Sequence, residues 1–187
     1  MTRWNVFVGT FTKEFADIFH DLRTNGNSWE RSWTGGGTSS SGWKPDKVAY
    51  QDTVYSEGVE RLVFDDVSGE LHHEGTITGD IVNPQYVTTH PSLPVLYASE
   101  YSPQGRLLSF ALKPDGTCER RSATDTLGRL AIAASVHPSG RCAYVAHFGD
   151  GTLSVVHLDD DGAAVSSDIV VKGDRDPDAP NLSLIHI

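Results

Sequence analysis

One stretch of this chain occurs twice. His90-Pro91-Ser92 is matched by His137-Pro138-Ser139, Tyr97 by Tyr144, Tyr101 by Phe148, and Asp115-Gly116 by Asp161-Gly162. The period is about 46 or 47 residues, within the range of solenoids, propellers and arrays.

Each copy holds short runs in which apolar and polar residues alternate, the pattern of half-buried strands rather than helices. The first run is Tyr86-Val87-Thr88-Thr89. His-Pro-Ser follows, and Pro at the second position of a turn makes it a tight hairpin connection. The second run is Val95 to Ser99, and the third is Leu108 to Leu112 after a loop with Pro103 and Gly105. Lys113-Pro114-Asp115-Gly116 turns the chain into a weaker fourth run. Four antiparallel strands in a unit of this length predict a propeller blade, so the fold class is all-β, a β-propeller. Working backwards, Val6 to Gly9 matches the second strand, Val59 to Phe64 the third and Leu71 to Thr78 the fourth. The first unit therefore starts at its second strand, and roughly three blades are covered.

With 187 residues, the chain is long enough to bury a sizeable core. Its formal charge of -10 argues against nucleic acid and anionic membrane surfaces as partners. Cys118 and Cys142 show no metal-ligand spacing and are too few for a disulfide framework. Met1 leads almost directly into a strand, without the charged and apolar regions of a signal peptide, and no run is long enough to span a membrane. These features set a reducing cytoplasm as the expected location. No cofactor or metal motif is readable: there is no Gly-rich phosphate loop, no nucleophile triad and no His/Cys cluster. Asp159-Asp160-Asp161-Gly162 aligns with a plain hairpin turn and is read as one rather than as a calcium loop. His90 and His137 are read as structural residues of their turns, and His72-His73 as solvated.

Residues 12–56 interrupt the repeat. Phe15, Ile18, Phe19 and Leu22 have helical spacing, which predicts a short amphipathic helix over Lys13 to Leu22. Asn25 to Trp43 is rich in Gly, Ser and Thr and reads as loop, although it carries Trp29, Trp33 and Trp43. The insertion falls between the second and third strands of the first unit, on the face opposite the His-Pro-Ser turns. There it is expected to act as a lid over one mouth of the channel. At the other end, residues 181–187 are expected to be a non-native tail. Leu182-Ser183-Leu184-Ile185-His186-Ile187 reads as the translation of a transposon-type sequencing adaptor. Residues 1–180 are thus expected to be an N-terminal fragment of a closed propeller.

Several segments, taken in order, resemble one family. They are Val6-Phe7-Val8-Gly9-Thr10-Phe11-Thr12, Ser56-Glu57-Gly58-Val59, Phe64-Asp65 with Ser68-Gly69-Glu70-Leu71, Asn83-Pro84, and His137-Pro138-Ser139-Gly140-Arg141 with Tyr144-Val145-Ala146. Together they look like the lactonase family of seven-bladed propellers, of the 6-phosphogluconolactonase type. The resemblance implies hydrolysis of a sugar-acid lactone, most simply 6-phosphogluconolactone, with a small-molecule lactone as partner and no cofactor. Two alternatives stand beside it: a propeller that binds a ligand or partner without catalysis, or a family member acting on another lactone, such as a muconate derivative. The chain departs from the family where a Gly-x-x-Pro-Cys-His pattern often opens the third blade, because Gly128-Arg129-Leu130-Ala131-Ile132-Ala133 stands there, without the Pro, Cys or His.

Lactone hydrolysis requires a positioned water, a general base and donors for the developing oxyanion, and a phosphate group calls for Arg or Lys. Candidates on the lid face are Glu100 and His147 as catalytic residues, at equivalent positions of neighbouring units and expected to face one pocket. Asn83, Gln85, Tyr101, Arg129 and Glu57 are the substrate-binding candidates.

Overall fold

The computed structural model describes residues 3–10, 57–77 and 81–171. They form eleven strands in three antiparallel sheets, with no helix among the described residues. The first sheet is β1 (Arg3–Val8), β2 (Val59–Asp65) and β3 (Leu71–Ile77). The second is β4 (Pro84–Thr89), β5 (Val95–Glu100), β6 (Arg106–Leu112) and β7 (Cys118–Asp125). The third is β8 (Ala131–Val136), β9 (Cys142–His147), β10 (Leu153–Leu158) and β11 (Ala164–Val171). Each sheet is an up-and-down meander in chain order, and the first holds three described strands where the others hold four. The expected helix over 13–22, the 12–56 lid and the 181–187 tail lie outside the described residues.

The alternation within β5 explains how the sheets pack. All six of its residues are buried. Leu96 and Ala98 face the first sheet and join Leu108, Phe110, Val59 and Ile81 in one apolar cluster. Val95 and Tyr97 face the third sheet and join Leu107, Ala134, Ala143, Val145 and Val156 in another. A strand that is apolar on both sides must lie between two neighbours, so the sheets stack face to face like blades. Burying a side chain such as Phe110 or Leu107 is worth about 1.5–3 kcal/mol. The outer strand β7 carries Glu119, Arg120 and Arg121, mostly exposed, and needs only one covered face.

Recurrent turns close the outer hairpins. Asp159 Oδ1 accepts hydrogen bonds from the Asp161 and Ala163 amides, and Gly162 sits at φ +79°. Asp65 and Asp115 do the same work before Gly69 and Gly116. The aspartate-rich run is thus a hairpin turn, as expected. At the opposite hairpin, His90 Nδ1 accepts from the Ser92 and Leu93 amides, which fixes the His-Pro-Ser turn. His73 contacts Glu60 at 2.6 Å and His72 lies 3.4 Å from Glu70, both as exposed pairs.

Candidate functional site

Two equivalent corners form where the chain enters an inner strand. Asn83 precedes β4 and Leu130 precedes β8, and both adopt left-handed backbone at φ +46° and +55°. Bulky residues rarely adopt that conformation, and its strain gathers at sites the surroundings over-determine. Here the determinant is a repeated hydrogen bond. The Asn83 carbonyl accepts from the Tyr101 amide at 2.9 Å, and the Leu130 carbonyl from the Phe148 amide at 3.0 Å. Immediately afterwards each inner strand bulges, at Gln85 and at Ile132. Bulges re-aim side chains and are frequent beside functional sites.

Glu100 ends β5 and is only 1% exposed. It faces Arg106, its direct cross-strand partner, whose Nη2 donates to Oε1 at 2.8 Å while Nε donates to Oε2. The Val82 amide donates to the same Oε1 at 2.6 Å. Glu100 thus clamps the segment arriving from the first sheet onto the second. Asn83 lies in the same cluster, fully buried, with Nδ2 donating to the Tyr101 carbonyl. Gln85 Oε1 is buried without a hydrogen-bond partner.

His147 ends β9 and is also 1% exposed. Its Nε2 lies 2.8 Å from Thr126 Oγ1, and its Nδ1 lies 3.2 Å from both the carbonyl and the hydroxyl of Thr152. Burial lowers its pKa and outweighs the opposing pull of Asp150, so the ring is neutral at pH 7. Gly128 makes room for it, since a Cβ there would meet the ring at 2.4 Å. Arg129 contributes its backbone, with its amide donating to Asp150 Oδ2 and its carbonyl accepting from the Gly149 amide.

Glu100 and His147 therefore occupy equivalent positions, as expected, but share no hydrogen-bond partner. Each is enclosed by its own blade's incoming segment rather than presented to a common pocket. Between them lies an apolar group, in which buried Tyr101 and Leu130 pack with Ile132 and Phe148. Burial raises the Tyr101 hydroxyl to about 12. The Leu130 amide donates to the Ser102 carbonyl and joins the two corners into one rim. Glu57 is exposed, two residues before β2. Arg106, Thr126 and Asp150 belong to these networks, and sequence reasoning misses them. Arg106 does carry a signal, because opposite charges flank the short loop after Glu100.

A groove of about 260 Å³ lies elsewhere, between the first sheet and the β6–β7 turn, lined by Arg3, Trp4, Asn5, Arg61, Glu74 and Asp115. Arg61 spans it, donating to Asn5 Oδ1 and to the Asp115 carbonyl at 3.1 Å each. None of the site candidates lines this groove. Among the described residues no three His, Cys, Asp or Glu side chains converge as a metal site, and no helix there is long and apolar enough to cross a membrane.

A family model described as a lactonase, seven-bladed beta-propeller, matches residues 48–186. No curated protein sequence matches the chain. Among solved structures, a Bacteroides uniformis protein provisionally assigned as a 6-phosphogluconolactonase superposes with TM-score 0.64 at 19% identity, over 97% of this chain and 41% of that one. The periplasmic gluconolactonase of Pseudomonas aeruginosa gives TM-score 0.61 at 19% identity, over 90% of this chain and 38% of its own. A Bacteroides fragilis protein with the same provisional assignment gives TM-score 0.56 at 19% identity, over 63% and 33%. At such identities the likeness is one of fold. The chain spans between a third and about two fifths of the length of these structures.

Proposed function

The chain belongs to the lactonase family of seven-bladed β-propellers, and we propose that the full-length protein hydrolyses a sugar-acid lactone at the rim built by the Asn83 and Leu130 corners. The family match across most of the chain carries this reading. In the reaction, water adds to the lactone carbonyl carbon, the ring C–O bond breaks, and a hydroxy acid is released with its proton. The preferred substrate is 6-phosphogluconolactone, in keeping with the provisional assignment of the two Bacteroides proteins.

Within this reading, Glu100 and His147 act as positioning residues, because their polar atoms are engaged inside the protein. They hold the two corners, beside which Gln85 and Arg129 are the proposed substrate contacts. Asn83 and Tyr101 fix the first corner, and Glu57 stands two residues before β2. Other channel-facing groups belong to blades outside these three sheets. A small lactone is the proposed partner and nucleic acid is not, given the charge of -10.

The test is ring opening of gluconolactone and of its 6-phosphate by the full-length protein, followed as acid release above the spontaneous rate. Acceleration with either lactone supports the reading. No acceleration, together with saturable binding of the lactone, would replace it with a binding propeller. A reducing cytoplasmic setting is proposed from the free Cys118 and Cys142. Recovery of the protein from the periplasm, where the Pseudomonas gluconolactonase resides, would overturn that part alone.

A further inference from the structure

The contact between the second and third sheets is built like a latch. His90 Nε2–H donates to the Gly140 carbonyl at 3.0 Å, while its Nδ1 is held by the Ser92 and Leu93 amides. Those two amides fix the tautomer, because an Nδ1 that accepts leaves the proton on Nε2. Seven residues on, the Tyr97 hydroxyl donates to the Gly162 carbonyl at 2.7 Å. Burial raises this hydroxyl to about 12, and it is fully enclosed. The receiving residues are left-handed glycines, at φ +71° and +79°. A Cβ on Gly140 would stand 2.4 Å from the His90 ring, and one on Gly162 would stand 3.1 Å from the Tyr97 oxygen.

The third sheet repeats the donor half. His137 and Tyr144 lie with ring centroids 6.4 Å apart, against 6.5 Å for His90 and Tyr97. His137 Nδ1 again accepts from its own turn, at the Ser139 amide. Yet Tyr144 is 38% exposed where Tyr97 is 0%. Tyr144 shares its face with Val155 and Ala133, on the side turned away from the second sheet, and Val171 at the outer strand is 43% exposed.

We infer that His137 and Tyr144 form a latch for a further four-stranded unit of the full-length protein, one that presents two left-handed glycine carbonyls to them. The occupant follows from continuity with the interface already formed between the second and third sheets. It also follows from length, since the chain spans 41% of the Bacteroides uniformis structure it overlays. The glycine at the His contact has an internal counterpart: Leu93 occupies the position equivalent to Gly140 in the second sheet, where no described histidine donates. The glycine at the Tyr contact recurs as Gly116 and Gly69 in turns that receive no tyrosine, so there the turn itself requires it. The inference is independent of the lactonase reading.

Hydroxyl-radical footprinting of the full-length protein tests it. Tyr144 should label as slowly as Tyr97 in the native state, several-fold below its rate after denaturation. Labelling of Tyr144 near the denatured rate overturns the inference. So does protection that disappears on dilution, which would mean that a second copy covers the face. As a second readout, Tyr144→Phe should lower Tm as much as Tyr97→Phe, and an unchanged Tm for Tyr144→Phe alone also overturns it.

Discussion

Glu100 keeps both carboxylate oxygens inside the protein, one shared between Arg106 and the Val82 amide and the other with Arg106 alone. Removing one partner of such a pair leaves the other uncompensated, which in full burial costs about 3–5 kcal/mol. Arg106 retains 27% side-chain exposure and can rehydrate in part, so Glu100→Ala should cost about 2–3 kcal/mol, nearer the lower figures for screened pairs. Glu100→Gln, which still accepts from the Val82 amide, should cost less. Urea midpoints of the full-length protein check both, and equal midpoints for all three proteins contradict the clamp. His147 makes a pH-dependent contribution. Its folded pKa lies below the ordinary value of 6.5 because burial disfavours the cation. Below that value the unfolded chain binds a proton that the folded protein does not, so stability falls as pH drops, by up to about 1.4 kcal/mol per unit, until the folded pKa is reached. Thermal melts at pH 7.5 and 5.5 should show a loss that is smaller in His147→Gln. An identical loss in both proteins removes His147 as the source.

The strands show what a sequence displays and what it conceals. Short apolar runs bounded by turn residues mark β2, β5 and β6 to within two residues at either end, because each of these strands packs at least one face against a neighbouring sheet. The turns are equally visible, since Asp-Gly and His-Pro-Ser carry their own backbone chemistry. The corners are not. Leu130 and Leu127 adopt positive φ with no residue signal, because the hydrogen bonds that hold Leu130 there come from the neighbouring loops. Strand counting puts Glu100 and His147 at equivalent strand ends, but their inward burial depends on segments distant in sequence. His90 reads only as a turn residue, and its reach into the next blade lies beyond local pattern. Two glycines separate these effects. Gly69 sits at φ +74° with open space where a Cβ would stand, whereas Gly140 sits at φ +71° against the His90 ring. Gly69→Ala should cost only the backbone term of about 1–2 kcal/mol. Gly140→Ala should cost that plus the displaced latch, an excess of about 1–2 kcal/mol from a lost buried hydrogen bond. Denaturant midpoints of the two variants in one background measure the excess, and equal costs contradict a latch at His90.

Taken whole, the three sheets enclose two interfaces and leave two outer faces open. Beyond the third sheet are Tyr144 and Val171, and beyond the first are Trp4 at 57% and Leu71 at 56% exposed. Trp4 pairs with Phe64 and Phe64 with Leu71 across the first sheet, so these side chains share one apolar surface. The β1 edge adds unpaired backbone among the described strands, a template for association. The net charge of -10 opposes association over the Debye length but is screened at physiological salt. Burying an apolar face gains about 25 cal/mol for each Å² and persists at any salt. The 187-residue chain should therefore self-associate, more so as salt rises, and should bind an apolar dye. Sedimentation velocity over a wide concentration range, at low and high salt, decides the matter. Concentration-dependent growth that strengthens with salt is the expected result. A monomer at every concentration that melts in one sharp transition would show that three blades suffice, and that Trp4, Leu71 and Tyr144 are tolerated as ordinary surface.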